Sequence, residues 1–85
     1  MARIILYKDY EFGGDSIAIE DAVSDLSEYD FNDCVSSLVI EDGEWDFYRD
    51  VDFEGDYGIT LGPGDYPNVD DLGISNDDLS SLKPV

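Results

Sequence analysis

Tyr7-Lys8-Asp9-Tyr10-Glu11-Phe12-Gly13-Gly14-Asp15, set over Tyr48-Arg49-Asp50-Val51-Asp52-Phe53-Glu54-Gly55-Asp56, shows one pattern twice at a constant offset of 41 residues. Aromatic, base, Asp, any residue, acid, Phe, any residue, Gly, Asp recurs position by position. A second pair follows at offset 44: Asn32-Asp33-Cys34-Val35-Ser36-Ser37-Leu38 over Asn76-Asp77-Asp78-Leu79-Ser80-Ser81-Leu82. The later copy therefore carries three extra residues between its two motifs. Two homologous halves of about forty residues form one unit.

Outward from these motifs, apolar residues fall in short runs bounded by turn formers, with no 3.6-residue stripe of helical length. The pattern predicts an all-β chain, with strands over 3–8, 16–20, 35–41, 44–49, 57–61 and from 80 towards 85, and a further short strand in each half. Asp42-Gly43 is a hairpin-type turn signal joining the halves. Gly62-Pro63-Gly64 marks another sharp turn, and Pro84 suits a strand end. Ser24-Asp25-Leu26 and Asp70-Asp71-Leu72 each suit a single helical turn. Two repeats of three or four strands predict paired Greek keys in a two-sheet sandwich of about eight strands. The single domain spans 1–85, with one key over about 1–42 and the other over about 43–85.

Composition bounds the function. With 22 Asp plus Glu against four Lys plus Arg, the net charge is -18, which repels nucleic acid and anionic membranes. Hydrophobic residues make up 42% of the chain, more than an acidic disordered tail carries, so it folds. His is absent, which removes the usual neutral-pH acid/base and every His-dependent nucleophile. The lone Cys34 supports neither a disulfide framework nor a thiolate metal cluster and reads as a packing residue. Carboxylate pairs are easy to find among 22 acids and say little, so no enzyme is expected. The apolar run 4–7 is too short for a signal-peptide core or a membrane span, and the expected protein is a cytoplasmic monomer.

Asn-Asp-x-x-Ser-Ser packs side-chain amide, carboxylate and hydroxyl oxygens into a turn. One copy is as well explained by an Asx or Ser/Thr turn closing on its own backbone. Two copies, each in register with the other repeat and within so acidic a chain, favour binding of a hard cation, for which calcium's six to eight flexible oxygen ligands are suited. Asp50, Asp52, Glu54 and Gly55 imitate an EF-hand loop, but its twelfth position falls on Leu61, where a bidentate Glu is required.

Taken together, these motifs resemble the βγ-crystallin domain of the microbial, calcium-binding type, over essentially the whole chain. Aromatic, four residues, aromatic, any residue, Gly is met at Tyr7 to Gly14 and Tyr48 to Gly55, and the calcium signature at Asn32 to Ser37 and Asn76 to Ser81. Leu61, Pro63, Gly64 and Tyr66 resemble the turn and tyrosine corner of the second key, and Trp45 precedes its first strand. Ser16 matches the hairpin serine of the family; Tyr57 departs from it, which bears on the second hairpin's local hydrogen bond. The resemblance implies two calcium ions, each held between a hairpin backbone oxygen near Glu11 or Asp52 and the Asn-Asp-x-x-Ser-Ser loop of the other half. It implies Asn32, Asp33 and Ser36 for one loop and Asn76, Asp77 and Ser80 for the other, with Ser37 and Ser81 holding the turns. Asp78 stands where the first loop has Cys34, so unequal affinities are expected. The alternative is a calcium-independent structural or interaction module of the same fold.

Overall fold

A computed structural model describes residues 2–29, 31, 35–74 and 79–85. Among them, seven strands form two antiparallel sheets: β1 (Arg3–Tyr7), β2 (Ser16–Ile19), β3 (Ser37–Asp42), β4 (Trp45–Asp50), β5 (Glu54–Leu61), β6 (Gly64–Tyr66) and β7 (Ser81–Pro84). One sheet has the order β2-β1-β3-β6 and the other β5-β4-β7. Single 3-10 turns occupy Tyr10–Phe12, Leu26–Tyr29 and Val69–Leu72. The second and third lie where the helical turns were expected; the first falls inside the repeated motif. No helix among the described residues is long and apolar enough to cross a membrane.

Alternation builds the core. In β1, Ile4 and Leu6 are fully buried while their neighbours are partly exposed, and in β3 buried Leu38 and Ile40 flank the partly exposed Val39. Trp45, Phe47 and Leu82 supply the facing layer, closed at its ends by Val23, Leu26, Val69 and Ile74. Trp45 buries its indole completely yet keeps its N–H satisfied, donating to the Asp42 carbonyl at 3.2 Å. Tyr66 forms the expected corner, its hydroxyl donating to the Gly62 carbonyl at 2.8 Å.

The topology gives the duplication its meaning. β6 belongs to the second half but pairs with β3 of the first. Val23 of the first half pairs with Leu82 in β7 of the second, exchanging two backbone hydrogen bonds of 2.9 and 3.1 Å. Each half thus lends its third segment to the other half's sheet. In the first half that segment is one bridge rather than a strand, which is why seven strands are found in place of about eight. The Asp42-Gly43 signal also needs correction: β3 and β4 lie in different sheets and do not pair. Both neighbours of β3 (β1 and β6) and both neighbours of β4 (β5 and β7) are already in place, so the turn, with Gly43 at φ 82°, carries the chain from one sheet to the other.

Two left-handed glycines, Gly14 in the first hairpin and Gly58 within β5, differ in what a side chain would meet. Gly14 has φ 71° and a Cβ there would lie 2.6 Å from Asp9 Oδ2 and 2.9 Å from its Cγ. Gly58 has φ 74° with open space around it. Gly58→Ala is expected to cost only the left-handed backbone penalty, about 1–2 kcal/mol. Gly14→Ala must also displace the Asp9 carboxyl and is expected to cost more. Urea unfolding of the two variants checks the order, which equal midpoints would refute.

Candidate metal centre

Each repeated motif folds into a hairpin whose apex leaves ordinary backbone space. Glu11 and Phe12 have φ 55° and 64°, and their counterparts Asp52 and Phe53 have φ 58° and 61°. Four consecutive-pair residues in the left-handed region, none of them Gly, cost energy that the surroundings must offset. Two devices do so. Tyr7 meets Phe12 edge to face with ring centroids 5.6 Å apart, and Tyr48 meets Phe53 at the same distance. A buried serine then clamps each hairpin: the Phe12 N–H donates to Ser37 Oγ (3.0 Å), which donates to the Asp9 carbonyl (2.6 Å). The second clamp runs from the Phe53 N–H to Ser81 Oγ (3.1 Å) and on to the Asp50 carbonyl (2.6 Å). Ser37 and Ser81, not Ser16, therefore hold the hairpins. Since both are present, the departure at Tyr57 leaves the second clamp intact.

Ser36 and Ser80, one residue earlier, are buried at 4% and 7% exposure, and both are engaged in interactions. Ser36 donates its N–H to the Tyr7 carbonyl (2.9 Å), and its own carbonyl accepts from the Val69 N–H (3.0 Å). Ser80 does the same with the Tyr48 carbonyl (3.0 Å) and the Leu26 N–H (2.8 Å). The hairpin apices reach the same opposite-half turns, the Glu11 N–H donating to Pro67 (2.9 Å) and the Asp52 N–H to Ser24 (2.8 Å). Two clusters result: Glu11 with Ser36 against residues 67–70, and Asp52 with Ser80 against residues 24–27. Asn32, Asp33, Asn76 and Asp77, as well as Cys34 and Asp78, lie outside the described residues. The crossing between halves that the described residues do show is made by the 3-10 turns. It follows from the exchange of third segments, which carries each turn to the other half's hairpin.

The sequence marks both as helical turns, but their duplication and their crossing role went unread. The available signal is a third alignment, at offset 43, of Ser24-Asp25-Leu26-Ser27-Glu28 with Pro67-Asn68-Val69-Asp70-Asp71, lying between the offsets of 41 and 44. The cap is duplicated too: Asn68 Oδ1 accepts from the Asp70 N–H and Asp25 Oδ1 from the Ser27 N–H, both at 2.9 Å. Hydrogen bonds from the Ser27 hydroxyl and then its N–H hold the exposed Asp25 carboxyl below the usual carboxylate range. That contribution is present above the ordinary value and fades as pH falls through the lowered one.

The chemistry is that of hard oxygens. Among the described residues no three Asp, Glu or Cys side chains converge into a cage for a metal ion. Among the described residues, a cation at either cluster would meet hard carbonyl, hydroxyl and carboxylate oxygens and no sulfur. Three of the four bases are engaged beside the sheets: Arg3 pairs with Glu41 and Glu20, Lys8 stands 5.0 Å from the Phe31 ring centroid, and Lys83 stands 5.4 Å from that of Phe53. The Glu41 and Glu20 carboxylates raise the exposed Arg3 guanidinium above its usual pKa.

A duplicated Greek-key sandwich with crossed third segments and serine-clamped, left-handed hairpins defines a narrow class of small β domain. The Beta/Gamma crystallin family model matches residues 3–85, and the chain belongs to that family. A Ciona intestinalis protein described as "Beta/gamma-crystallin" is 46% identical over 84 residues, covering 98% of each chain. A solved Ciona structure superposes with a TM-score of 0.91 at 45% identity, over 98% of this chain and 99% of that one. An archaeal βγ-crystallin gives 0.90 at 30% identity, over 99% and 98%. A βγ-crystallin from Methanosaeta thermophila, described as transition-metal-ion-binding, gives 0.85 at 28% identity, over 95% and 98%. Gamma-crystallin S of Cyprinus carpio is 34% identical over 85 residues, and the chain spans 47% of its length.

Proposed function

We propose that this single domain, residues 1–85, binds two calcium ions and is stabilised by them. The observation that carries the proposal is the duplication of the clusters: Glu11 with Ser36 and Asp52 with Ser80 recur with matching backbone angles and matching cross-half hydrogen bonds. Ser36 and Ser80 are the fifth residues of the two Asn-Asp-x-x-Ser-Ser motifs, whose Asn32, Asp33, Asn76 and Asp77 are hard donors of the kind calcium takes; by the family resemblance each hairpin would share its ion with the motif of the other half. Metal binding also occurs within the family, as the description of the Methanosaeta thermophila protein states for that protein. An ion bound only to the native state would relieve part of the repulsion among 22 acids, tying binding to stability.

Calorimetric titration of metal-stripped protein with calcium tests this. Two ions should bind, and magnesium, which demands short octahedral geometry and keeps its water, should compete poorly. Ser36→Arg and Ser80→Arg should each abolish one site, because a bulky cation then fills the place meant for calcium. A flat isotherm at millimolar calcium refutes the proposal; two ions with unchanged affinities in both arginine variants would move the metal elsewhere on the acidic surface.

A further inference from the structure

Besides the Cys34/Asp78 exchange in the sequence, one clear difference separates the two clusters among the described residues. Tyr10 begins the 3-10 turn that contains Glu11, and its hydroxyl donates to Asp70 Oδ2 at 2.9 Å, sixty residues away. Asp70 belongs to the opposite-half turn that also receives the Glu11 N–H and the Ser36 carbonyl. Three hydrogen bonds therefore join this cluster to its crossing turn. The pseudo-symmetric positions are Val51 for Tyr10 and Ser27 for Asp70. Valine has no hydroxyl to donate, and the Ser27 hydroxyl instead donates to Asp25 of its own turn at 2.6 Å. The Asp52–Ser80 cluster thus has the two backbone bonds without the side-chain clasp.

Charge does not separate the two turns, since Asp25 and Glu28 on one balance Asp70 and Asp71 on the other. Order does. A binding loop already held in place loses less conformational freedom when it takes up an ion, so equal contacts yield higher affinity. Resting on the two-site calcium proposal above, we infer that Tyr10 is a positioning residue: through Asp70 it holds the Glu11 hairpin against its crossing turn and makes the Glu11–Ser36 cluster the tighter, first-filled calcium site. Val51 makes the Asp52–Ser80 cluster the looser one.

Calcium titration followed by backbone amide resonances, alongside calorimetry, tests this. In the unmodified protein the Glu11 and Ser36 amides should respond at lower calcium than those of Asp52 and Ser80. Tyr10→Phe keeps the ring and removes the hydroxyl that donates to Asp70. It should weaken the first step about three- to tenfold and leave the second unchanged. The double variant Val51→Tyr/Ser27→Asp places the same pair of side chains beside the other cluster and should tighten the second step, an effect that a purely structural role for Tyr10 does not produce. Simultaneous or reversed filling in the unmodified protein overturns the inference. So does an unchanged first step in Tyr10→Phe, or an unchanged second step in the double variant. Failure of the calcium proposal itself is distinct: all four amides stay unmoved and the isotherm is flat.

Discussion

Removal of calcium is expected to lower the melting temperature by about 20 °C or more while leaving the β-sheet spectrum in place. At a hundredfold excess over its dissociation constant, each ion bound only to the native state adds about 2.7 kcal/mol. Two sites give about 5 kcal/mol, and in a domain of this size 1 kcal/mol moves the midpoint by about 4–8 °C. The size of the effect separates site binding from screening. Any salt shortens the reach of surface charges to about 8 Å at physiological ionic strength and relieves part of the -18 repulsion. Sodium chloride matched to the same ionic strength should therefore raise the midpoint by much less than calcium. An equal rise would make the ion a counterion and no ligand, and a midpoint indifferent to chelator would remove it from the folding equilibrium altogether. The far-ultraviolet spectrum should persist without metal because the core of Trp45, Phe47, Ile4, Leu6 and Leu38 and the hairpin clamps need no ion. A disordered spectrum would show that charge repulsion outweighs that core.

Ser37→Ala and Ser81→Ala should destabilise the protein by about 2–4 kcal/mol each, whether calcium is present or not. Each hydroxyl belongs to a fully buried residue and serves as acceptor for a left-handed Phe and donor to the carbonyl three residues before it. Its removal leaves a part-buried N–H and a part-buried carbonyl without that partner, at about 1–2 kcal/mol for each group so left. The near-identical distances in the two clamps predict near-identical losses, which denaturant midpoints at constant slope would check. The neighbouring Ser36→Arg and Ser80→Arg should behave differently, removing chiefly the stability that calcium adds. If Ser37→Ala costs nothing in the metal-free protein, the left-handed apices are held by the aromatic pairs alone and the clamp is incidental.

Much of this architecture is written in local chemistry. The repeated Tyr-x4-Phe-x-Gly run identifies a hairpin because a paired ring and a glycine at φ 71° are requirements of the turn itself. Alternation in Ile4, Leu6, Leu38 and Ile40 marks which face of each strand is buried, since successive side chains point to opposite sides. Tyr66 above Gly62 and Pro84 at a strand end were equally legible, each being settled within a few residues. The oxygen-rich Asn-Asp-x-x-Ser-Ser loops name a donor chemistry for the same reason.

Which pieces meet was decided by tertiary structure. Asp42-Gly43 has the composition of a hairpin turn, yet it crosses between sheets because strands distant in sequence flank β3 and β4. Ser37 and Ser81 were expected as turn-holding residues, but that their hydroxyls clamp the hairpins, 28 and 31 residues from the carbonyls they bond, is a tertiary contact. The exchange of third segments places residues 67–70 beside Glu11 and residues 24–27 beside Asp52, contacts that no local pattern contains. Sequence by itself thus determined the strands, the repeat and the oxygen-rich composition of the loops, all properties of near neighbours along the chain. The two clusters and their inequality at Tyr10 and Val51 arise only when the halves interlock, because a hydrogen bond between residues sixty apart depends on how the sheets pack and not on what lies next to either residue.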